Sequence, residues 1–256
     1  MLFRSPLPQQ AAFDSDSHGT HTAGILAGRA MGKMRFGAAP GVELACAVVI
    51  EGGHTIARVL GGLDWAVDQQ VRVLNLSLGL RGYRADFLPI IRLLRIRGVL
   101  PVVAAGNEGP GTSRSPGNYP EVLSVGACAE SDEVADFSSS DRFLRTDDPI
   151  SPDLVAPGEG IFSCMPRRGH EKSSGTSMAA PHVAGLASLL IEAFPQANVD
   201  QLERAIFESC VRPATMQEER ANRGVPDGPR ALASLAALLG QKPPAAPARR
   251  STRRRQ

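Results

Sequence analysis

The sequence predicts an α/β domain of three layers, with a mostly parallel central sheet and helices on both faces. Three observations predict it. Short apolar runs such as Val42–Ile50, Val71–Leu78 and Val99–Ala105 alternate with longer stretches whose apolar residues recur at helical intervals. Val42–Ile50 and Val99–Ala105 are apolar nearly throughout rather than every second residue, as befits strands covered on both faces. The chain also has 256 residues, 43% of them apolar, which is enough for one large core. There is no internal repeat and no sign of a second globular unit.

Residues 1–13 contain Pro and Gln and read as an irregular segment ahead of a domain spanning residues 14–240. Thr20–Ala30 carries small and apolar residues at helical spacing, which places His18 at a helix N-terminus. Gly37–Gly41 is a turn cluster and Val42–Ile50 a short buried strand. Thr55–Gln70 is a helix with Val59, Leu63 and Ala66 among its apolar positions and Thr55 as a cap. The strand Val71–Leu78 closes at Gly79, Ala85–Arg97 is a helix, and the strand Val99–Ala105 runs straight into Gly106-Asn107. After the long loop Gly109–Pro120 come the strand Val122–Ala129, a surface stretch over Ser131–Ile150, and short strands at Asp153–Pro157 and Ile161–Met165. Helices over Met178–Ala193, Val199–Cys210 (on the surface) and Pro229–Leu239 complete the domain. Ligands of open parallel sheets bind beyond the carboxyl ends of the strands. Leu78-Gly79 and Gly106-Asn107 therefore fall on the edge where a site belongs.

Charge is unevenly placed. The formal net charge is +2, yet the last sixteen residues hold five Arg and one Lys with no acid. Setting those six aside leaves 22 basic against 26 acidic residues, a net charge of −4 for the rest. Residues 241–256 read as a disordered basic tail. A solvated tail is the preferred reading over a nucleic-acid contact, which such a tail could also make. No apolar run approaches the roughly eighteen residues of a membrane span, and the start is too short and too Pro-broken for a signal peptide. The cysteines Cys46, Cys128, Cys164 and Cys210 are widely spaced with no CxxC pair. Buried free thiols are expected, which suits a reducing compartment and favours the cytoplasm for the chain as it stands. Secretion would follow only if a further N-terminal segment carried a signal.

The strongest chemical signal is Gly175-Thr176-Ser177-Met178-Ala179-Ala180-Pro181-His182-Val183-Ala184-Gly185. It sets a serine at the turn into an apolar helix. A hydroxyl that attacks a carbonyl gains from a helix N-terminus, whose free N–H groups and dipole favour developing negative charge. Small neighbours let a substrate approach, and Pro181 falls in the first turns, where a missing N–H does least harm. Taken alone, such a Ser is more often a helix cap, a lone His a core or surface residue, and an Asn after Gly a turn former.

Together, however, these residues resemble a known family. The Ser177 segment resembles the nucleophile motif of the subtilisin-like serine peptidases, peptidase family S8. Ser17-His18-Gly19-Thr20-His21-Thr22-Ala23-Gly24 resembles its histidine motif, and Ala104-Ala105-Gly106-Asn107-Glu108-Gly109 its oxyanion-hole motif, all in the family's order. The resemblance covers about Asp14 to Ala236 and implies a subtilisin-like fold. It also implies a serine endopeptidase acting through an acyl-enzyme, with Ser177 as nucleophile, His18 as general base and Asn107 as oxyanion donor. His21 would be structural, and His54 is a loop residue. The resemblance makes Leu76-Ser77-Leu78-Gly79 the edge that pairs with an extended substrate. Ala104, Ala105 and Gly106 become one wall of the pocket for the residue before the cut, with Glu108 and Arg114 near its base. An exposed Glu108 would favour basic side chains, whereas a Glu108–Arg114 pair would cancel that preference.

The family's buried strand ending in the catalytic Asp, upstream of the His, has no match in the seventeen residues before His18. A sheet without its middle strand leaves unpaired backbone and exposed apolar side chains. The expectation is therefore an N-terminally incomplete domain, rather than substitution by Asp14 or Asp16 or a degenerate, inactive relative. The family's calcium loops have no match either, so no metal and no cofactor is expected. The expected partner is a peptide or protein substrate and the expected state a monomer, away from membranes and nucleic acid. The competing reading is a non-catalytic relative that holds extended peptides along Leu76–Gly79.

Overall fold

The computed structural model describes residues 2–4, 14, 16–32, 34–50 and 53–244. The expected irregular segment therefore lies largely outside the described residues, and so does the basic tail beyond residue 244. One part of the first expectation is corrected: Leu2–Arg4 form a strand, β1, instead of irregular chain. Helix α1 (His18–Ala27) and strand β2 (Ala45–Ala47) follow, and β2 pairs in parallel with β1. Next come α2 (Thr55–Asp68), β3 (Val73–Leu76), the short β4 (Leu80–Arg81), α3 (Leu88–Ile96), β5 (Leu100–Ala104), β6 (Arg114–Ser115) and β7 (Leu123–Cys128). The chain continues through β8 (Asp141–Arg142), β9 (Ile150–Ser151), β10 (Leu154–Pro157), β11 (Ile161–Cys164) and β12 (His170–Ser173). It ends with α4 (Thr176–Ala193), α5 (Val199–Ser209), α6 (Glu218–Ala221) and α7 (Gly228–Leu238).

The central sheet has the order β10-β7-β5-β3, all parallel. Because side chains alternate along a strand, β5 feeds two cores. Leu100, Val102 and Ala104 join Leu123, Val125, Leu154 and the α4 residues Ala180, Val183 and Ala187, closed off by α5 and α7. Val103 points the other way, with Leu76, into a second core against α2 (Val59, Leu63) and α3 (Ile91, Leu94). Those are the three layers. Among the described residues the sheet stops at β3: β1 and β2 form a separate two-stranded pair. Accordingly β2 is half-buried rather than the fully buried strand its apolar sequence suggests, and Cys46 on it is half-buried too. All four cysteines are free, and only Cys128 is fully buried.

Several departures have local causes. Pro89 cannot sit deep in a helix, so the predicted helix over Ala85–Arg97 is a 3₁₀ turn, Ala85–Phe87, before α3 begins with Pro in its first positions. The stretch Ser131–Ile150 is not all surface: Ala135, Ser138, Ser139, Ser140 and Ile150 are buried. Ser138 can be, since its Oγ accepts from the Ala127 N–H at 3.0 Å. Strand β12 has no apolar signal. It is paired antiparallel with β11, as a hairpin against α1.

Helix α5 carries its own start signal. Asn198 accepts from the Gln201 N–H at 2.9 Å while the Gln201 side chain accepts from the Asn198 N–H at 3.0 Å. Since α5 supplies Leu202, Ala205 and Ile206 to the core, Asn198→Ala is expected to lower the stability of the domain by about 1 kcal/mol. Urea unfolding followed by circular dichroism measures it; an unchanged midpoint would show the cap to be idle.

Candidate active site

All four central strands run the same way, so the segments after β3 and β5 leave on one edge. Helix α4 starts against that edge. Its Ser177 donates its hydroxyl to the Ser77 carbonyl at 3.2 Å, and Ser77 donates its own to the Ser177 carbonyl at 3.0 Å. The second bond follows from the sequence. Pro181 lacks the N–H that would normally reach back to the Ser177 carbonyl, and the Ser77 hydroxyl satisfies that oxygen instead. The nucleophile candidate is thus fixed to the end of β3, half-buried at the mouth of the site.

Asn107, just beyond β5, is exposed, but its amide is not free to turn. Its Oδ1 accepts from the Thr176 N–H and from Thr176 Oγ1, each at 2.9 Å. The Thr176 hydroxyl also bridges to the Gly106 backbone at 3.2 Å. With Oδ1 so engaged, the Nδ2 donors point away from the clamp, over Gly175. A Cβ at Gly175 would stand 3.3 Å from Nδ2, and its φ of +156° is one few side chains adopt. Thr176 is the functional residue that sequence reasoning missed. Its signal was a hydroxyl at the first helical position, beside the nucleophile.

His18 opens α1, which packs along α4. Desolvation lowers its pKa below the usual 6.5 although part of its surface is open; the charges of Asp16 and Asp14 oppose that shift and His21 adds to it. Among the described residues no hydrogen bond joins His18 to Ser177, whose proton is on the Ser77 carbonyl. Nor does either nearby carboxylate bond to the imidazole. Asp14 Oδ2 instead accepts from the Thr20 N–H and Oγ1, both at 2.6 Å, and so caps α1, where Ser17 makes no side-chain cap bond. His21 is 2% exposed and donates through Nε2 to the Glu171 carbonyl at 3.1 Å, tying α1 to β12; among the described residues its Nδ1 has no partner. Among the described residues no three His, Cys, Asp or Glu side chains come together as a metal set. No described helix is long and apolar enough to cross a membrane.

The remaining candidates gather around the same edge. Ser77, Leu78 and Gly79 are half-buried after β3, and Ala104, Ala105 and Gly106 are buried at the end of β5. Glu108 and Arg114 are paired. Arg114 Nε lies 3.0 Å from both carboxylate oxygens, Nη2 donates to Oε1, and Nη1 donates to the Gly79 carbonyl at 2.6 Å. That pairing holds the Glu108 carboxyl down at about 2, so it stays anionic wherever His18 is neutral. The arrangement collects a hydroxyl at a helix start, an amide side chain fixed nearby and an imidazole on the adjoining helix.

Comparison with known proteins gives the family. The profile described as the Subtilase family, Peptidase_S8, matches residues 3–229. The subtilisin-like protease PopC of Myxococcus xanthus (strain DK1622) is 34% identical over 250 residues, covering 86% of this chain and 51% of that protein. The major intracellular serine protease of Bacillus subtilis (strain 168) is 34% identical over 211 residues, covering 79% and 62% respectively. The chain thus spans about half to three fifths of the length of these curated relatives. Among solved structures, a mutant of the protease domain of PatA superposes with a TM-score of 0.75 at 26% identity, covering 89% of this chain and 84% of that one. The prenylagaramide maturation protease PagA gives 0.75 at 24%, covering 88% and 83%.

Proposed function

Because the chain belongs to the subtilase family, we propose that it is a serine endopeptidase that cuts peptide bonds through an acyl-enzyme on Ser177. The observation that carries this reading is the clamp at the start of α4. It fixes the Asn107 amide by its Oδ1 to the residue before Ser177, and leaves Nδ2, beside Gly175, as the donor for an oxyanion. The relatives it matches are named as proteases, which disfavours a non-catalytic peptide holder.

In this mechanism an extended substrate adds as a strand along Leu76–Gly79. The Ser177 hydroxyl leaves the Ser77 carbonyl, gives its proton to His18 and attacks the scissile carbonyl. The oxyanion takes hydrogen bonds from Asn107 Nδ2 and from the Ser177 N–H, one of the helix's first amides with no intrahelical partner. His18 then protonates the leaving amine, and later activates the water that releases the acyl group. Its lowered pKa keeps the base neutral into mildly acidic solution.

The pH profile follows with a definite sign. The acidic limb of kcat/KM is expected to have its midpoint below 6.5, because the base form persists below that pH. Asp16 raises the pKa of His18 through space, so Asp16→Asn is expected to move the midpoint further to acid. A midpoint above 6.5, or a shift toward alkali in the variant, contradicts the assignment of His18.

Fluorophosphonate labelling tests the reading itself. The folded chain is expected to be labelled on Ser177 within minutes, and the His18→Ala chain to be labelled far more slowly. A folded parent chain that resists the reagent removes the peptidase reading.

A further inference from the structure

We propose that Arg114 is the specificity-determining residue of this peptidase: its side chain fills the slot between Gly79 and Gly106 and restricts the substrate residue before the cut to small side chains. The inference rests on the peptidase reading above. It starts from two glycines facing the same side chain. A Cβ on Gly79 would meet Arg114 Cβ at 3.0 Å and Cδ at 3.6 Å. A Cβ on Gly106 would meet Arg114 Cγ at 3.1 Å and Glu108 Oε2 at 3.1 Å. The aliphatic stem of Arg114 therefore runs between the two walls that a substrate side chain would occupy.

What holds it there is a guanidinium engaged at all three of its nitrogens. Nε and Nη2 serve the Glu108 carboxylate, and Nη1 serves the Gly79 carbonyl on the substrate edge. The backbone around it is braced as well: Arg114 lies on β6, paired antiparallel with Arg81 of β4. Glu108 is fixed from its other side, by the Asn107 N–H at 3.2 Å and Ser139 Oγ at 3.3 Å. Arg81 reaches the same carboxylate at 3.5 Å, but its side chain is 78% exposed, so it is a loose second cation. Opening the slot means pulling a bidentate ion pair apart, which a substrate Leu or Phe side chain does not compensate. A Lys or Arg side chain could replace Arg114 only by competing with an intramolecular partner. Glu108 is thus a receptor for a basic side chain that the chain's own Arg114 already occupies.

The experiment uses tetrapeptide aminocoumarin amides differing only in the residue before the cut: Ala, Leu, Lys or Glu. The parent is expected to favour Ala. Arg114→Ala empties the slot over a carboxylate left with only the loosely held Arg81, and is expected to raise kcat/KM for Lys relative to Ala by about 10–100-fold. Adding Glu108→Gln should abolish that gain and shift preference toward Leu. This second variant leaves no unpaired carboxylate, so it also serves if Arg114→Ala folds poorly. A parent that cleaves these peptides with the same ranking as both variants overturns the inference and leaves the peptidase reading standing. If the folded parent neither cleaves nor is labelled on Ser177, the peptidase reading fails. Anisotropy of the same four peptides, with a fluorescein in place of the coumarin, on Ser177→Ala chains with and without Arg114→Ala then decides the inference by binding alone. A gain for Lys supports it, and an unchanged ranking or no binding overturns it.

Discussion

Replacing Ser177 by alanine is expected to reduce peptide hydrolysis to background, a loss of at least about 10²-fold. The size follows from what a Ser–His pair contributes. In subtilisin, a relative of this chain, removing the nucleophile costs about 2 × 10⁶ in kcat and removing the orienting Asp alone about 3 × 10⁴. Roughly 10² therefore remains to a pair without its carboxylate. That remainder sets the floor here, because no carboxylate is hydrogen-bonded to His18 among the described residues. Residues that act as a unit are not additive, so His18→Ala is expected to cost about the same, and the double variant no more than either single one. A Ser177→Ala chain that still cuts casein at the parental rate would place the chemistry elsewhere. The substitution is conservative for the fold. It removes only the bond to the Ser77 carbonyl, and the Ser77 hydroxyl keeps the Ser177 carbonyl satisfied.

Asn107→Ala is the second large effect, a fall in kcat on the order of 10²-fold with KM little changed. The oxyanion exists only along the reaction path, so a donor aimed at it stabilises the transition state and not the bound substrate. The structure adds a reason for the loss to be large: Asn107 is oriented before substrate arrives, by Thr176 holding its Oδ1 twice at 2.9 Å. Steady-state kinetics on one peptide substrate separates the outcomes. A rise in KM at constant kcat would make Asn107 a ground-state contact and would contradict the oxyanion role.

Much of the fold was legible because its strands are buried on both faces. Leu100–Ala104 reads as a continuous apolar run and Leu123–Cys128 as one broken only by Ser124, and both are buried at every position. The site was legible for a related reason: a serine at a helix start and an asparagine at a strand end need small neighbours, and Gly175, Gly106 and Ala105 supply them. Less could be read where tertiary contacts override composition. The run from Arg167 to Ser174 is charged and looks like a loop, yet His170–Ser173 is a strand because its backbone pairs with Ile161–Cys164 and carries the carbonyl that receives His21. Ser138 looks like surface, but is buried because its hydroxyl substitutes for a strand partner at the Ala127 N–H. Val42–Ile50 reads as a short buried strand, yet only Ala45–Ala47 pair, with β1, and they are half-buried, because β3 does not continue the ladder onto them. Arg114 could be placed near Glu108 by resemblance alone. That its stem lies between two glycines depends on how β6 folds back on β4, which no local pattern encodes.

The central claim is that a peptide's acyl group passes through Ser177, and trapping that intermediate tests it most directly. The folded chain would be mixed with a peptide nitrophenyl ester ending in alanine, quenched in acid after one turnover and examined by mass spectrometry. A burst of nitrophenol stoichiometric with protein, and the acyl mass on the peptide containing Ser177, is the predicted result. Nitrophenol released with no burst and no mass gain on Ser177, from a chain that circular dichroism shows to be folded, would contradict it.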